Sequence, residues 1–441
     1  MPPFLLTTIY CRQYMNTEEL ISFKQQALLW ANQFEVCCCF DSNNYTDSYS
    51  GFDFLIAAGA QHQLKTNAGS AFDQLKDFYN QHHNWIFGML GYDLKNEIEQ
   101  LSSTHENRLD FPDLFFFVPE CLIAIRNGKT EVIIGAENLL DTIEQFIPEQ
   151  KYQSQQNEIQ NNALEIQARL DKNTYISKVN ELRDHISRGD LYEVNFCQEF
   201  FAENAIINPY EVYHNLNKLS PTPFAGFFKL ADKYILSASP ERFLCKRGNK
   251  LISQPIKGTA KRSTDSAEDE HIKISLKNDQ KEQAENVMIV DLVRNDLTKS
   301  AIPGTVKVDE LFGIYTFPQV HQMISTVSCK IKENLHPIDA IRNTFPMGSM
   351  TGAPKIRAMQ LIDEIELSRR GIYSGAFGYI DPNGDFDFNV VIRSILYNAS
   401  NHYLSFQVGG AITYASSADK EYEECLLKAS AIVKTLTQAN K

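Results

Sequence analysis

A lysine occupies an unusual position in the stretch QPIKGTAKR, which runs from Gln254 to Arg262. Lys257 lies between a Pro-Ile pair and a Gly-Thr pair that mark the end of a strand. A lysine ammonium is strongly hydrated and seldom buried without a partner. Lys257 is therefore either a solvated turn lysine or a side chain placed for chemistry, and the pattern alone leaves both interpretations open.

A carboxylate lies among apolar neighbours in the stretch QAENVMIVDLVRNDL. Glu285 shares a helix face with Met288, Ile289 and Leu292. A carboxylate in such surroundings requires a cation or hydrogen-bond donors. The cation is either a basic side chain, for example Arg294, or a metal ion.

The last helical stretch carries a second acidic group, because Glu421, Glu424 and Lys428 fall on one face. Taken alone, this face is typical of an exposed charge ladder. The two acidic helices could also converge on one hard cation that prefers oxygen ligands, such as Mg²⁺. Spacing does not decide between these interpretations.

Arg393 alternates with Val391 and Ile395 along an apolar stretch that predicts one continuous strand. An arginine among apolar neighbours usually holds a carboxylate through two hydrogen bonds, and that carboxylate belongs either to the protein or to a ligand. The pair Gly409-Gly410 closes another strand and indicates a bulge or a tight turn.

Composition argues against several classes of protein. The net charge of −13 over 441 residues does not suit nucleic-acid binding, which needs clustered Lys and Arg. Nine cysteines without a C-x-x-C pair indicate reduced thiols rather than a disulfide framework or a zinc site. Neither a signal peptide nor an apolar run of about 18 residues is present, so we expect a soluble, cytoplasmic protein with no membrane partner.

The periodicity predicts an α+β fold. Short apolar runs separated by turns, such as FEVCCCF and FDFLIAAG, predict antiparallel strands, and βαβ units are few. A long helical stretch is predicted to break near Asn278-Asp279. A Gln- and Asn-rich segment predicts a linker at residues 151–170, between an N-terminal part, residues 1–150, and a catalytic region, residues 171–441.

Six motifs follow one another along the chain: SPERFL (239–244), PIKGTAKR (255–262), AENVMIVDLVRNDL (284–297), FPMGSMTGAPKIRAM (345–359), GYI…VVIRSI (378–395) and VGGAI…EYEE (408–424). In this order they resemble the chorismate-utilising enzymes. That family includes the large subunits of anthranilate synthase and aminodeoxychorismate synthase, and the isochorismate and salicylate synthases. The resemblance implies one large α+β unit with two orthogonally packed antiparallel β-sheets flanked by helices.

The resemblance also implies roles for individual residues. Glu285 and Glu424 would hold Mg²⁺, which in turn binds a carboxylate of chorismate. Glu241 would act as general acid or base near the departing ring hydroxyl, and Lys428 would support the site through an ion pair. The residues implied to bind the substrate are Arg393, Tyr379, Gly409, Gly410, Thr259 and Thr351.

Lys257 distinguishes the branches of the family. PIKGT is similar to the aminodeoxychorismate synthases of the folate route, whereas anthranilate synthases usually have PIAGT. In the first branch a lysine amine adds to the ring as the hydroxyl leaves, and ammonia then expels the lysine. Such a lysine must be uncharged when it attacks, so desolvation or a nearby magnesium is expected to lower its pKa. Glu193 stands where isochorismate-type members have a water-activating lysine, which argues against a water-adding enzyme.

Nothing in the chain resembles a glutamine amidotransferase, so ammonia is expected from a separate glutaminase subunit or from solution. The alternatives are an anthranilate synthase large subunit and, in another class, a non-catalytic chorismate-binding regulatory module. His321 is interpreted as a core or rim histidine. Ser42 is the place to look for a tryptophan-like ligand in the N-terminal half.

Overall fold

The computed structural model describes residues 10–13, 17–147 and 164–438. Over these residues the fold is built on two β-sheets, in which every pair of hydrogen-bonded strands is antiparallel. Helices pack against the sheets. The predicted α+β class with two antiparallel sheets is confirmed.

The strands divide between the sheets as follows, over the described residues. The first sheet contains β1 (Tyr10–Gln13), β2 (Val36–Asp41), β3 (Phe54–Ala58), β7 (Cys121–Arg126), β8 (Lys129–Ile134), β9 (Gln167–Ala168), β10 (Glu193–Ala202), β11 (Phe224–Leu230), β12 (Lys233–Ser239), β18 (Gly352–Ala353), β21 (Ser394–Asn398) and β22 (Tyr403–Thr413). The second sheet contains β4 (His62–Thr66), β5 (Ile86–Leu90), β6 (Leu114–Val118), β13 (Arg242–Arg247), β14 (Lys250–Gln254), β15 (Ile256–Lys261), β16 (Lys307–Thr316), β17 (Val320–Lys330), β19 (Ala376–Ile380) and β20 (Phe386–Val390).

The α-helices of the described residues are α1 (Thr17–Ala31), α2 (Ala71–His82), α3 (Lys95–Glu99), α4 (Leu139–Glu144), α5 (Lys172–Ser187), α6 (Pro209–Leu219), α7 (Ser266–Asn278), α8 (Gln280–Thr298), α9 (Pro337–Thr344), α10 (Lys355–Ile365) and α11 (Ala418–Gln438). The predicted break between α7 and α8 is confirmed. Asp279 separates the two helices, and its side chain accepts hydrogen bonds from the N–H groups of Lys281 and Glu282 at the start of α8. Within the described residues, no helix has the length and apolar character that crossing a membrane requires.

Both sheets draw strands from both parts of the chain. In the first sheet β2 pairs with β11, and in the second β5 pairs with β19. Residues 1–150 and 171–441 therefore build the same two sheets. The predicted linker, residues 151–170, lies mostly outside the described residues, and its described end contains β9, which pairs with β10.

Alternating side chains of β2 enter two different hydrophobic cores. Cys38 joins the core that contains Phe87 of the second sheet, whereas Cys37 and Cys39 join the core that contains Phe23 of α1. The first core thus joins the two sheets, and the second lies between the first sheet and its helices. The eight cysteines whose side chains are described are all free thiols, as expected.

The single strand predicted through Arg393 is wrong. β20 ends at Val390 in the second sheet and β21 begins at Ser394 in the first, so residues 391–393 cross between the sheets. Arg393 adopts a left-handed backbone conformation with φ of 52°. The apolar pattern continues through the crossing because both flanking strands are buried, and periodicity therefore gives no sign of the change of sheet.

Candidate active site

The side chain of Lys257 is largely withdrawn from solvent. The pairing between β15 and β17 shifts register between Ile256 and Thr259, which places Lys257 in an irregular part of the strand. Its side chain is 11% exposed, and Nζ donates a hydrogen bond of 2.8 Å to Oε1 of Glu193, which is 1% exposed. The interpretation of Lys257 as a solvated turn residue is thereby excluded.

The pKa of Lys257 lies above its ordinary value. Burial lowers this pKa, but the carboxylates of Glu193, Glu285 and Glu241 together raise it by more. Desolvation acts to lower the pKa of Lys257, as expected, but the three acidic residues that face the ammonium outweigh it. In this arrangement Lys257 is a cation paired with Glu193.

Glu193 reaches the site as the first residue of β10. This residue lies between Ala353 of β18 and Thr413 of β22 in the sheet register, so it is enclosed on both sides. A Cβ on Gly352 would lie 2.2 Å from the carbonyl oxygen of Glu193, which explains a glycine in that neighbouring strand. Glu193 Oε2 has no hydrogen-bond partner among the described residues. One oxygen of this buried carboxylate is therefore engaged by Lys257, and the other has no partner in the described part of the chain.

Glu241 lies in the connection between β12 and β13. The backbone N–H of Glu241 donates to the hydroxyl of Ser239 at 3.3 Å, and the carbonyl of Glu241 accepts from the N–H of Val390 at 3.0 Å. Burial raises the pKa of Glu241 to about 7, an effect that the charge of Lys257 only partly offsets. A carboxyl group with this pKa can donate or accept a proton at neutral pH.

Glu285 faces the same space from α8. The alternative of an ion pair with Arg294 is not realised, since Arg294 pairs with Asp291 at 3.0 Å. Lys281 Nζ lies 3.5 Å from Glu285 Oε1, yet this oxygen receives no hydrogen bond from the described residues. Burial raises the pKa of Glu285 to about 7, although Lys257 and Lys281 oppose the rise.

Glu424 approaches from α11, next to the double glycine of β22. Burial acts to raise the pKa of Glu424, but Lys428, with its Nζ 2.6 Å from Oε1, lowers that pKa by more in combination with Lys281 and Lys257. Lys428 also donates to the carbonyl of Gly409 at 2.9 Å. A Cβ on Gly410 would lie 3.7 Å from Glu424 Oε1, and one on Gly409 would lie 2.0 Å from a carbonyl of β10. Gly409 thus allows β22 to lie close to β10, whereas a Cβ at Gly410 would make only ordinary contacts with α11.

These residues form a cluster of six carboxylates and three lysines whose charges act on one another: Glu193, Glu241, Glu282, Glu285, Glu421, Glu424, Lys257, Lys281 and Lys428. The cluster has more acidic than basic groups and suits a cationic ligand. Among the described residues, no group of three or more His, Cys, Asp or Glu has the arrangement of a complete metal site. Glu285 and Glu424 would supply two carboxylate ligands, a set that suits Mg²⁺ because this ion usually retains several waters.

Arg393 is a further cationic group within electrostatic reach of Glu424. Its guanidinium forms no hydrogen bond or ion pair with any residue the structure describes. Burial lowers the pKa of Arg393, while Tyr373 and Glu424 act to raise it. A desolvated guanidinium without a protein partner suits an anionic ligand such as a carboxylate.

Tyr379 does not belong to the cluster of carboxylates and lysines. It lines a cavity with Ser42, Gly51, Phe224 and Asp387, apart from the cluster around Lys257. Ser42, suggested above for a tryptophan-like ligand, is buried there and its hydroxyl has no partner among the described residues. That ligand stays a prediction.

The tyrosine beside Arg393 is Tyr373, which the sequence analysis missed. Its hydroxyl lies 3.3 Å from the sulfur of Cys197. Lys281 and Glu282 were missed as well, although their spacing of four and three residues from Glu285 on one helix was a usable signal.

The two threonines differ in position. Thr351 is fully buried in the turn before β18, and its hydroxyl donates to the carbonyl of Gly348 at 3.1 Å. Thr259 is exposed on β15, beyond the register shift. His321 is buried, with Nε2 3.0 Å from Asp269 and Nδ1 3.0 Å from the hydroxyl of Thr316. These contacts fit its interpretation as a core or rim histidine.

Comparison with known proteins defines the class. Residues 33–434 match the family described as chorismate binding enzyme, and the chain belongs to that family. Its relatives include aminodeoxychorismate synthase component 1 from Escherichia coli (strain K12), 34% identical over 349 residues that span 79% of this chain and 76% of the relative. Anthranilate synthase component 1 from Bacillus subtilis (strain 168) is 33% identical over 380 residues, 79% of this chain and 72% of that protein.

Solved structures share the fold. Anthranilate synthase component I from Streptococcus pneumoniae TIGR4 gives a TM-score of 0.72 at 26% identity, over 88% of this chain and 93% of that chain. The menaquinone-specific isochorismate synthase from Escherichia coli gives a TM-score of 0.74 at 17% identity, over 97% and 94% of the two chains. The predicted family and fold are both confirmed.

Proposed function

We propose that this chain aminates chorismate to aminodeoxychorismate, with Lys257 as a covalent nucleophile. The observation that carries the proposal is the position of Lys257, buried beside Glu193 and within the electrostatic reach of Glu241 and Glu285. A lysine largely withdrawn from water and facing several carboxyl groups, two of them with strongly shifted pKa values, is a candidate functional residue. The similarity to aminodeoxychorismate synthase component 1 supports the same reaction.

The two carboxylates of chorismate would be bound at two places. Arg393, whose guanidinium has no partner among the described residues, would hold one of them together with the hydroxyl of Tyr373. Gly410 lies beside Glu424, and the backbone of Gly409 and Gly410 would form a wall of the substrate site. We infer that Tyr373, rather than Tyr379, contacts the substrate, because Tyr379 lines the other cavity.

Mg²⁺ is proposed as the cofactor, held by Glu285 and Glu424. The free oxygen of Glu285 and the excess of carboxylates in the cluster fit such an ion. When bound, Mg²⁺ would neutralise acidic charge and hold the second substrate carboxylate. Lys428 would keep Glu424 in place through the 2.6 Å ion pair.

The amination would proceed in two substitutions. The amine of Lys257 bonds to the ring while the hydroxyl leaves, and Glu241 in its protonated form donates a proton to that hydroxyl. Ammonia then bonds to the carbon that carried the hydroxyl, and the lysine leaves. Two such substitutions return the configuration that one direct displacement would invert. Ammonia is proposed to come from a glutamine amidotransferase subunit.

Product analysis tests this proposal. The protein is incubated with chorismate, a magnesium salt and an ammonium salt, and an aminodeoxychorismate lyase is then added. The expected product is para-aminobenzoate. Strong anthranilate fluorescence before the lyase is added would instead favour anthranilate synthase, a rival supported by the 33% identical relative. No turnover at all, with ammonium or with a glutaminase subunit, would favour a non-catalytic chorismate-binding module.

The role of Lys257 is tested by Lys257→Ala. This variant is expected to lose amination at least about a hundredfold, because the nucleophile is removed, while chorismate and magnesium still bind. Lys281→Ala is the matched control, since Lys281 lies in the same cluster but is about half exposed and outside the proposed reaction. An unchanged rate of aminodeoxychorismate formation by Lys257→Ala contradicts covalent catalysis.

A further inference from the structure

The proposed chemistry leaves the proton on Lys257 without a stated acceptor. Carboxylates around Lys257 raise its pKa, so the resting lysine carries a proton and has no lone pair with which to attack. The side chain is buried, so bulk water is poorly placed to remove that proton. An acceptor within the site is therefore required.

The acidic groups that face Lys257 come from four elements. They are Glu193 on β10, Glu241 before β13, Glu282 and Glu285 on α8, and Glu424 on α11. Within salt-bridge distance of Lys257 Nζ, the described residues include Glu193 alone. Glu193 Oε1 accepts the hydrogen bond of 2.8 Å along which a proton would move.

The other carboxylates near Lys257 have different roles in the proposed reaction or are paired with other lysines. Glu241 must arrive protonated to donate to the leaving hydroxyl, so it cannot accept a proton at that step. Glu285 lies 3.5 Å from Lys281, and Glu424 lies 2.6 Å from Lys428. Glu193 has no second basic partner among the described residues, and its Oε2 is buried without a hydrogen bond.

We propose that Glu193 is the catalytic base that takes the proton from Lys257, keeps it while the lysine is bonded to the ring, and returns it when the lysine leaves. This inference rests on the proposed function. It assigns a reaction step to a residue that touches the reacting nitrogen directly.

The steps balance. An N–H bond of the Lys257 ammonium breaks and an O–H bond forms on Glu193. The free amine then bonds to the ring as Glu241 protonates the departing hydroxyl, which leaves as water. Ammonia bonds to the ring, the lysine leaves as a neutral amine, and Glu193 returns its proton to that amine. The new ammonium on the ring gives one proton to Glu241, which restores the starting state.

Burial makes the transfer feasible. A buried ion pair is costly because both charges lose water, and conversion to a neutral acid and a neutral amine removes that cost. When the substrate fills the pocket, the remaining water is excluded and the free-energy cost of forming the neutral pair falls. Glu193, enclosed between β18 and β22, is placed for this effect.

The test uses Glu193→Gln, which keeps the shape of the side chain and cannot take the proton. The full-length protein is mixed with chorismate and magnesium without ammonia, and the lysine adduct is followed by intact-protein mass spectrometry. Adduct formation is expected to slow about 10²–10⁴-fold, with the KM for chorismate in steady-state assays changed less than about threefold. The ratio of the variant rate to the wild-type rate is expected to rise about tenfold per pH unit between about pH 7 and pH 9, because Lys257 must then lose its proton to solvent.

Two further variants test whether the loss of rate is specific to Glu193 and whether a base is required at this position. Glu364→Gln changes an exposed carboxylate outside the cluster, 3.5 Å from Arg357, and it should change the adduct rate less than about threefold. Glu193→Asp retains a base at a longer distance, and its rate relative to the wild type should be lower but independent of pH. If Glu193→Gln does not fold, the test of the proposal depends on Glu193→Asp. A ratio of the Glu193→Asp adduct rate to the wild-type adduct rate that rises with pH would overturn the proposal.

The outcomes separate this inference from the proposed function. If the wild-type protein forms no adduct on Lys257, the proposed function fails. If the wild-type protein forms the adduct and Glu193→Gln forms it at the same rate with the same pH dependence, only the role of Glu193 is refuted.

Discussion

The ion pair between Glu366 and Arg370 is expected to stabilise the frame of the site strongly. Both side chains are buried, 2% and 1% exposed, with Arg370 Nη2 2.6 Å from Glu366 Oε1. Arg370 also donates to the carbonyls of Met350 at 2.6 Å and Asn195 at 2.7 Å. Glu366 accepts a further hydrogen bond of 2.8 Å from the N–H of Cys197. Through these hydrogen bonds the pair connects β10, which begins at Glu193, to the turn before β18.

The substitution Glu366→Ala removes three hydrogen bonds, two from Arg370 and one from Cys197. It leaves a buried guanidinium without its counter-charge. Breaking a buried pair in this way costs about 3–5 kcal/mol of unfolding free energy. The same substitution at Glu364, an exposed residue 3.5 Å from Arg357, should cost less than about 1 kcal/mol.

Urea unfolding, followed by circular dichroism and by tryptophan fluorescence, measures both variants against the wild-type protein. Glu366→Ala should move the midpoint to much lower urea, whereas Glu364→Ala should leave it nearly unchanged. A loss of less than about 1 kcal/mol for Glu366→Ala would refute the reasoning, because it would mean that Arg370 is solvated or re-paired without Glu366.

Two further predictions concern catalysis. Arg393→Met should raise the KM for chorismate about a hundredfold, because charged hydrogen bonds to a carboxylate contribute about 1.5–3 kcal/mol each. The melting temperature should not fall, because the guanidinium has no partner among the described residues. An unchanged KM would contradict the assignment of Arg393 to substrate binding. The pKa of Glu241, raised to about 7 by burial, gives a proton donor that is active below that pH and lost above it. Adduct formation without ammonia should therefore fall about tenfold per unit above about pH 7, and a Glu241→Gln variant that keeps this fall would show that another group titrates.

Much of the fold and several site residues were predictable. Short apolar runs separated by turns identified β2 and β3, and helical spacing placed Glu285 and Glu424 on two helices. The surroundings of Tyr379 and Arg393 were not predictable. The alternation of apolar and polar residues predicts which face of a strand a residue lies on. It does not predict which sheet the strand joins or which residues pack against that face.

The sequence by itself determined the family, the reactive residue types and their placement on helices and strands, because these depend on local order along the chain. Only the tertiary structure decided the state of Lys257. The charge of a buried lysine depends on the balance between lost hydration and nearby carboxylates. Glu193, on a strand 64 residues earlier, supplies the nearest of those carboxylates. Glu193 lies on β10 of the first sheet and Lys257 on β15 of the second, and no local pattern specifies how the two sheets bring these strands together.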